Sequence, residues 1–141
     1  MIELAKLTDI NGVFDISKCF FDWTKEQLKD CISDKSMIFL IKHQGNETIG
    51  FLIAQNLVDS INILLIATKN EFQKLGIASE LILELEKISK EQNINKIWLE
   101  VKETNTSAVK FYENQNFKYL TKRKRYYKEG EDALIYEKST F

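Results

Sequence analysis

The chain has 141 residues, 44% hydrophobic and 11% aromatic, enough for one packed core and too few for two, so a single domain over residues 1–141 is expected. Its 20 basic and 21 acidic residues leave a net charge of -1, which excludes a global field drawing it to nucleic acid or an acidic membrane. The longest apolar runs, residues 37–41 and 63–67, fall far short of a membrane span; no basic segment and long apolar run follow Met1, and Cys19 and Cys31 form no C-x-x-C pair, so a cytoplasmic setting with buried, reduced thiols is expected.

Residues 2–7 read as a first strand. Thr8 or Asp9 then supplies an N-cap, and Ile10, Val13, Phe14, Ile16 and Phe20 make an amphipathic helix ending near Phe21. A second helix starts at Thr24, where Gln27 three residues on completes a capping box, and it buries Leu28, Cys31 and Ile32. Over residues 37–68 the pattern changes to β-branched and aromatic runs between polar turns, as antiparallel strands require: 37–42, a turn at Gln44-Gly45-Asn46, 49–56, a turn at Asp59-Ser60, and 61–68. His43, the single histidine, is expected to be a solvated turn residue.

Ile77, Ala78, Leu81, Ile82, Leu85 and Ile88 then recur at helical spacing, with Glu80, Glu84, Lys87 and Glu91 on the opposite face. Residues 96–102 alternate as a strand, Ile97, Leu99 and Val101 facing one way and Trp98, Glu100 and Lys102 the other. Asn105 or Thr106 caps a short helix ending near Asn114, and residues 117–127 and 133–138 form a closing hairpin around Lys128-Glu129-Gly130. The order β-α-α-β-β-β-α-β-α-β-β implies a mixed α/β fold with helices on both faces of the sheet.

The segment Gln73-Lys74-Leu75-Gly76-Ile77-Ala78-Ser79 lies between a strand and the strongest helix. A helix start presents unpaired N–H groups and the positive end of the dipole, which attract phosphate, and Gly76 with small Ala78 allows close approach to the main chain. Neither a Walker pattern nor G-x-G-x-x-G is present. Taken alone, the loop is more simply a plain strand-to-helix turn with a helpful glycine.

Gln73-x-x-Gly76-x-Ala78 opening an amphipathic helix resembles the acetyl-CoA pyrophosphate loop of the GNAT superfamily of N-acetyltransferases. Trp98-Leu99-Glu100-Val101-Lys102-x-Thr104-Asn105-x-x-Ala108-x-x-x-Phe111-Tyr112-Glu113, followed by Asn116-Phe117, is similar to the second half of that fold. Arg123-Lys124-Arg125-Tyr126-Tyr127 and Glu131-Asp132-Ala133, with Trp23 and Leu28 earlier, narrow the resemblance to the bacterial ribosomal-protein-alanine N-acetyltransferases. It covers nearly the whole chain, most strongly from Ile61 onward. The chain departs from it at Asp22 in place of proline, at Gln115-Asn116 in place of leucine-glycine, and at Leu65 where many relatives carry asparagine; Asn116 can still take the left-handed conformation that ends a helix.

The resemblance implies a mostly antiparallel sheet of six to seven strands with about four helices on its two faces. It implies acetyl-CoA as cosubstrate without a metal, coenzyme A as the bound partner, and a protein N-terminus or small amine as acceptor. Main-chain groups of Ile66, Ala67 and Thr68 would hold the pantetheine arm and polarise the thioester carbonyl. Gln73, Lys74, Leu75, Gly76, Ile77, Ala78 and Ser79 would hold the diphosphate, and Asn105 the arm. Glu100 would be the general base, directly or through water, and Tyr112 the acid that protonates the departing sulfur. Trp23, Tyr126, Tyr127 and Asp132 are candidates for the acceptor cleft.

Plainer readings stand beside these. Glu100 could be a strand carboxylate paired with Lys102 or a lysine of a neighbouring strand. Tyr112 could simply pack beside Phe111, and Asn105 could be only a helix cap. Lys122-Arg123-Lys124-Arg125 beside two tyrosines suits single-stranded nucleic acid, but strand alternation splits the run between two faces. At neutral pH roughly a fifth of an α-amine, and under about a thousandth of a lysine, is unprotonated, so an N-terminal acceptor demands less of a lone carboxylate; lysine and polyamines remain the alternatives.

Overall fold

The computed structural model describes residues 1–124, 126 and 130–140. Seven strands, β1 Ile2–Leu4, β2 Met37–Gln44, β3 Glu47–Asn56, β4 Ile61–Thr68, β5 Lys96–Lys102, β6 Lys118–Arg123 and β7 Ala133–Ser139, form one sheet in the order β1-β2-β3-β4-β5-β7-β6. Four helices, α1 Ile10–Ser17, α2 Lys25–Ser33, α3 Ile77–Glu91 and α4 Thr106–Asn114, cover it. No helix among the described residues is long and apolar enough to cross a membrane.

Alternation along β3 shows how both faces are buried. Leu52 and Ala54 join Leu81, Ile82 and Leu85 of α3 and Tyr112 of α4 in one core. Phe51 and Ile53 point the other way, to Ile10, Val13 and Ile16 of α1 and Leu28 of α2. A Cβ on Gly12 would lie 2.7 Å from Thr48 Oγ1, so only glycine lets α1 press this closely on β3. That second core contains no residue of β5, β6 or β7, and the face of those strands bearing Trp98, Glu100, Ile135 and Glu137 is uncovered by α1 and α2.

Helix ends follow local chemistry. Thr24 Oγ1 accepts from Gln27 N at 3.1 Å and Gln27 Oε1 accepts from Thr24 N at 2.8 Å, the expected capping box. α4 closes on Asn116, left-handed at φ 69°, with Phe117 N donating to Tyr112 O at 3.0 Å and Asn116 N to Glu113 O at 3.0 Å, a Schellman motif that buries Phe117 beneath the helix. Asn93 ends α3 in the same way.

Several expectations are corrected. The first strand ends at Leu4, and residues 7–9 turn as a 3-10 helix. α1 stops at Ser17, so Phe20 and Phe21 lie beyond it. β2 runs to Gln44 and β3 starts at Glu47, leaving a two-residue turn at Gly45-Asn46. His43 is not simply solvated: its Nε2 lies 2.9 Å from Asp9 Oδ1, tying β2 to the turn before α1. Cys31 is buried and its thiol pKa is raised, mainly by desolvation, whereas Cys19 is exposed. The predicted tip of the last hairpin, including Tyr127, Lys128 and Glu129, lies outside the described residues.

Candidate active site

β4 and β5 form the sheet's parallel pair, joined through α3 as a parallel connection requires. Their register holds for Ile61↔Ile97, Asn62↔Trp98 and Ile63↔Leu99, and ends there. The cause lies on the other edge of β4: Ile53 pairs with Leu65 and Ala54 with Ile63, so Leu64 is an extra, bulged residue that bends the strand. Beyond the bulge β4 stays paired with β3 through Thr68, while its opposite edge parts from β5. A cleft of about 930 Å³ opens in the gap, between the start of α3 and the body of α4.

The strand-to-helix loop shapes one end of this cleft. Lys74 and Gly76 are both left-handed, at φ 64° and 83°, and Gly76 heads α3 with no side chain capping it. The first N–H groups of a helix have no intrahelical acceptor, and the residues that carry those of α3, Ile77, Ala78 and Ser79, line the cleft. Gln73 Nε2 donates to Thr68 O at 3.2 Å and to Asn70 Oδ1 at 3.1 Å, pinning the loop to the end of β4. Ile77 buries its side chain against Gly50 of β3 at the head of the helix. Gln115 Nε2 donates to Ser79 Oγ at 2.8 Å, so the residue that departs from the family leucine links α4 to the first turn of α3.

Ile66, Ala67, Thr68, Gln73, Lys74, Gly76, Ile77, Ala78, Ser79 and Asn105 all line the cleft, as do Glu100 and Tyr112. Leu75 does not: its side chain is turned outward and exposed. Asn105 Oδ1 caps α4, accepting from Ala108 N at 3.2 Å, and its Nδ2 group makes no hydrogen bond among the described residues. Phe20 and Phe21, which the periodicity had assigned to a helix, line the cleft instead.

Glu100 points to the uncovered side of the sheet, 18% exposed, with Oε1 3.1 Å from Arg123 Nη1. Its partner is therefore neither Lys102, which pairs with Glu131 at 3.7 Å, nor a lysine of the adjacent strand. Arg123 reaches diagonally over β7 from β6, past the fully buried Ala133. The Arg123 guanidinium also lies over the Tyr126 ring, 5.5 Å from its centroid, and the Tyr126 hydroxyl bonds to Glu100, which raises its pKa. Glu100 and Tyr126, singled out separately in the sequence, thus meet around Arg123, which sequence reasoning noted in a motif but did not place in the site. Its one signal is the three-residue spacing to Tyr126.

Tyr112 packs edge-on against Phe111 and Phe117, at centroid distances of 5.2 and 5.7 Å. Burial pushes its phenol up to about 12, and no hydrogen bond to its hydroxyl is found among the described residues, so the group is a protonated donor facing the cleft. Trp23 packs on the α1–α2 core and does not line the cleft. Asp132 lies 3.7 Å from Lys122, which also meets Glu103 at 3.0 Å; with Arg123 held by Glu100, these first two cations of the basic run are spoken for within the fold. Tyr127 is outside the described residues.

A sequence profile described as the Acetyltransferase (GNAT) family matches residues 7–117. Haemophilus ducreyi has a [Ribosomal protein bS18]-alanine N-acetyltransferase 33% identical over 129 residues, covering 90% of this chain and 88% of that protein. An N-alpha-acetyltransferase of Sulfolobus acidocaldarius is 26% identical, covering 95% of this chain and 89% of the relative. In fold, the crystal structure of the ribosomal-protein-S18-alanine N-acetyltransferase from Escherichia coli superposes with a TM-score of 0.89 at 24% identity, over 99% of this chain and 93% of that one.

Proposed function

We propose, from the premise that this chain belongs to the GNAT acetyltransferase family, that it acetylates a protein α-amine, the N-terminal alanine of a small-subunit ribosomal protein. Acetyl-CoA is the cosubstrate of this family, and it supplies an activated thioester carbonyl. The cleft's features fit such a molecule: an uncapped helix start behind two left-handed residues suits the diphosphate, and a long groove beside a strand edge that has lost its neighbour suits an amide-bearing arm. The observation that carries the reading is Glu100, a carboxylate at the point where β4 and β5 part, lining the cleft from the strand that bounds it.

In this proposal the N–H groups of Ile77, Ala78 and Ser79 hold the diphosphate, Gln73 fixes the loop and Lys74 adds charge. Main-chain groups of Ile66, Ala67 and Thr68 bind the arm and stabilise charge developing on the carbonyl oxygen, and Asn105 Nδ2 holds the arm while Oδ1 keeps its capping role. Glu100 takes the proton of the incoming ammonium, held in orientation by Arg123 and Tyr126. Tyr112 stays protonated throughout the neutral range. With its phenol near 12, full transfer to a free thiolate of pKa about 8.5 is uphill by roughly 5 kcal/mol. Its hydroxyl therefore supports the departing sulfur by a hydrogen bond, and proton transfer becomes easier as desolvation raises the basicity of that sulfur.

The test is acetyl-CoA turnover across four acceptors: an alanine-initiated peptide, the same peptide blocked at its N-terminus, a lysine peptide and a polyamine. Turnover confined to the free α-amine is expected. Equal turnover of the blocked peptide rejects N-terminal specificity, and turnover of the polyamine alone transfers the activity to a small-molecule acceptor.

A further inference from the structure

The face of the sheet that carries Glu100 also holds a second hollow, about 350 Å³ in volume, which the chemistry above leaves unused. Trp98 and Glu137 line it, Asp59 and Ser60 reach it from the β3–β4 turn, and Leu120 and Arg123 from β6. Arg123 thus borders the hollow and grips Glu100 at 3.1 Å, so the hollow adjoins the proposed reaction centre. Trp98 and Glu100 are two residues apart on one face of β5, a separation of about 7 Å. An extended peptide advances roughly 3.4 Å per residue, which brings the second or third residue of an acceptor over Trp98.

Three features mark the hollow as built for an occupant. Glu137 Oε2 is buried and accepts no hydrogen bond, since Lys96 Nζ lies 3.6 Å away, beyond hydrogen-bond reach. The Glu137 side chain is nevertheless 31% exposed where it lines the hollow, so its carboxylate keeps acceptor capacity for an N–H-bearing partner. Second, the turn that brings Asp59 and Ser60 to the rim is strained: Val58, a β-branched residue, is left-handed at φ 79°, held by Leu57 N donating to Ser60 O at 2.9 Å and Val58 N to Asn56 Oδ1 at 2.8 Å. Third, β6 bulges between Tyr119 and Thr121, turning the exposed Leu120 to the wall of the hollow.

Charge selects the occupant. The two cations at the rim are engaged, Arg123 with Glu100 and Lys96 with Glu137, whereas Asp59 has no ion-pair partner among the described residues. Ser60 Oγ takes the Trp98 indole N–H at 3.2 Å, fixing the ring as the floor. A half-satisfied carboxylate, a free one, an indole and an aliphatic wall together suit a long basic side chain, its stem on Leu120 and its charge over Trp98 and against Glu137. We infer that this hollow is a subsite for a lysine or arginine side chain at the second or third residue of the acceptor; the inference rests on the acceptor being a peptide, as proposed above.

The experiment compares kcat/KM for alanine-initiated peptides that differ only by arginine, glutamine or glutamate at positions two and three. The wild type is expected to favour arginine over glutamine about tenfold, the scale of one charge-assisted contact, and glutamate least. Asp59→Asn and Glu137→Gln should each shrink the arginine-to-glutamine ratio at least about threefold, and together bring it near one. A rise in melting temperature with coenzyme A certifies the folding of each variant, and Asp59→Asn, on an exposed turn, serves where Glu137→Gln folds poorly. Equal use of the arginine and glutamine peptides, or a ratio that survives the paired substitution, overturns the subsite alone. Failure to acetylate any free α-amine overturns the proposed function and the subsite with it.

Discussion

Glu100 carries two attachments, an ion pair to Arg123 at 3.1 Å and a hydrogen bond from Tyr126, and the proposed reaction asks it to receive a proton as well. Glu100→Gln keeps the shape and removes the base, so kcat should fall by about 10²–10⁴, while the rise in melting temperature given by acetyl-CoA persists; a variant that retains most of its turnover removes Glu100 from the role of base. Tyr112 differs, since its hydroxyl faces the cleft without a hydrogen bond among the described residues. Tyr112→Phe should therefore slow turnover far more than it weakens coenzyme A binding, and a loss equal in both would point to packing alone. The same residue imposes an alkaline limit on stability. Its folded pKa of about 12 lies above the ordinary value of 10.0, so the unfolded chain loses this proton first, and stability declines from pH 10 upward until the folded group titrates too. The contribution is fully present below pH 10 and its loss reaches roughly 3 kcal/mol by pH 12, and alkaline melting curves of Tyr112→Phe should lack that share of the decline. Neither the Arg123 contact nor this degree of burial was legible in sequence, because a strand pattern gives the face of Glu100 but not which cation crosses β7 to meet it.

At the scale of elements, α3 and α2 were readable because their signals are local. Apolar residues at helical spacing define α3, and Thr24 with Gln27 defines the start of α2. Thr24→Ala removes the Oγ1 arm of the box, which bonds at 3.1 Å, and leaves the 2.8 Å arm from the residue-24 main-chain N–H to Gln27; it should cost about 1 kcal/mol, seen as a drop of roughly 3–5 °C in melting temperature. Gly76 at the head of α3 combines a local and a functional demand. At φ 83° it needs glycine's freedom, yet nothing lies within 4 Å of where a Cβ would stand, because that space belongs to the cleft. Gly76→Ala should thus lose only about 1 kcal/mol of stability to backbone strain, but lower the affinity for coenzyme A by a larger factor, as calorimetric titration would read; unchanged affinity would separate this helix start from diphosphate binding. The end of α1 was misread for a physical reason. Phe20 and Phe21 continue the apolar pattern beyond Ser17, but outside the helix both line the cleft, Phe21 also packing on the second core.

For the molecule as a whole, the decisive event is the parting of β4 and β5 after Ile63↔Leu99, caused by one extra residue, Leu64, against β3. A ligand that fills the resulting cleft binds the native state alone, so acetyl-CoA at a hundred times its dissociation constant should add about 2.7 kcal/mol of stability. Thermal unfolding with and without it measures this, and a flat response would remove the cleft from cofactor binding. The sequence by itself determined the elements, their order, the capping of α2 and the left-handed Asn116, because each depends on neighbours within a few residues. The motif around Gly76 and Glu100 likewise carried the family. Only the tertiary structure decided that the ladder splits beside Leu64, that Leu75 and Trp23 turn away from the cleft while Phe20 and Phe21 enter it, and that Arg123 joins Glu100 to a second hollow. Periodicity tells which side of a segment avoids water; it carries no information on which distant segment supplies the cover, and these features arise where that cover is missing.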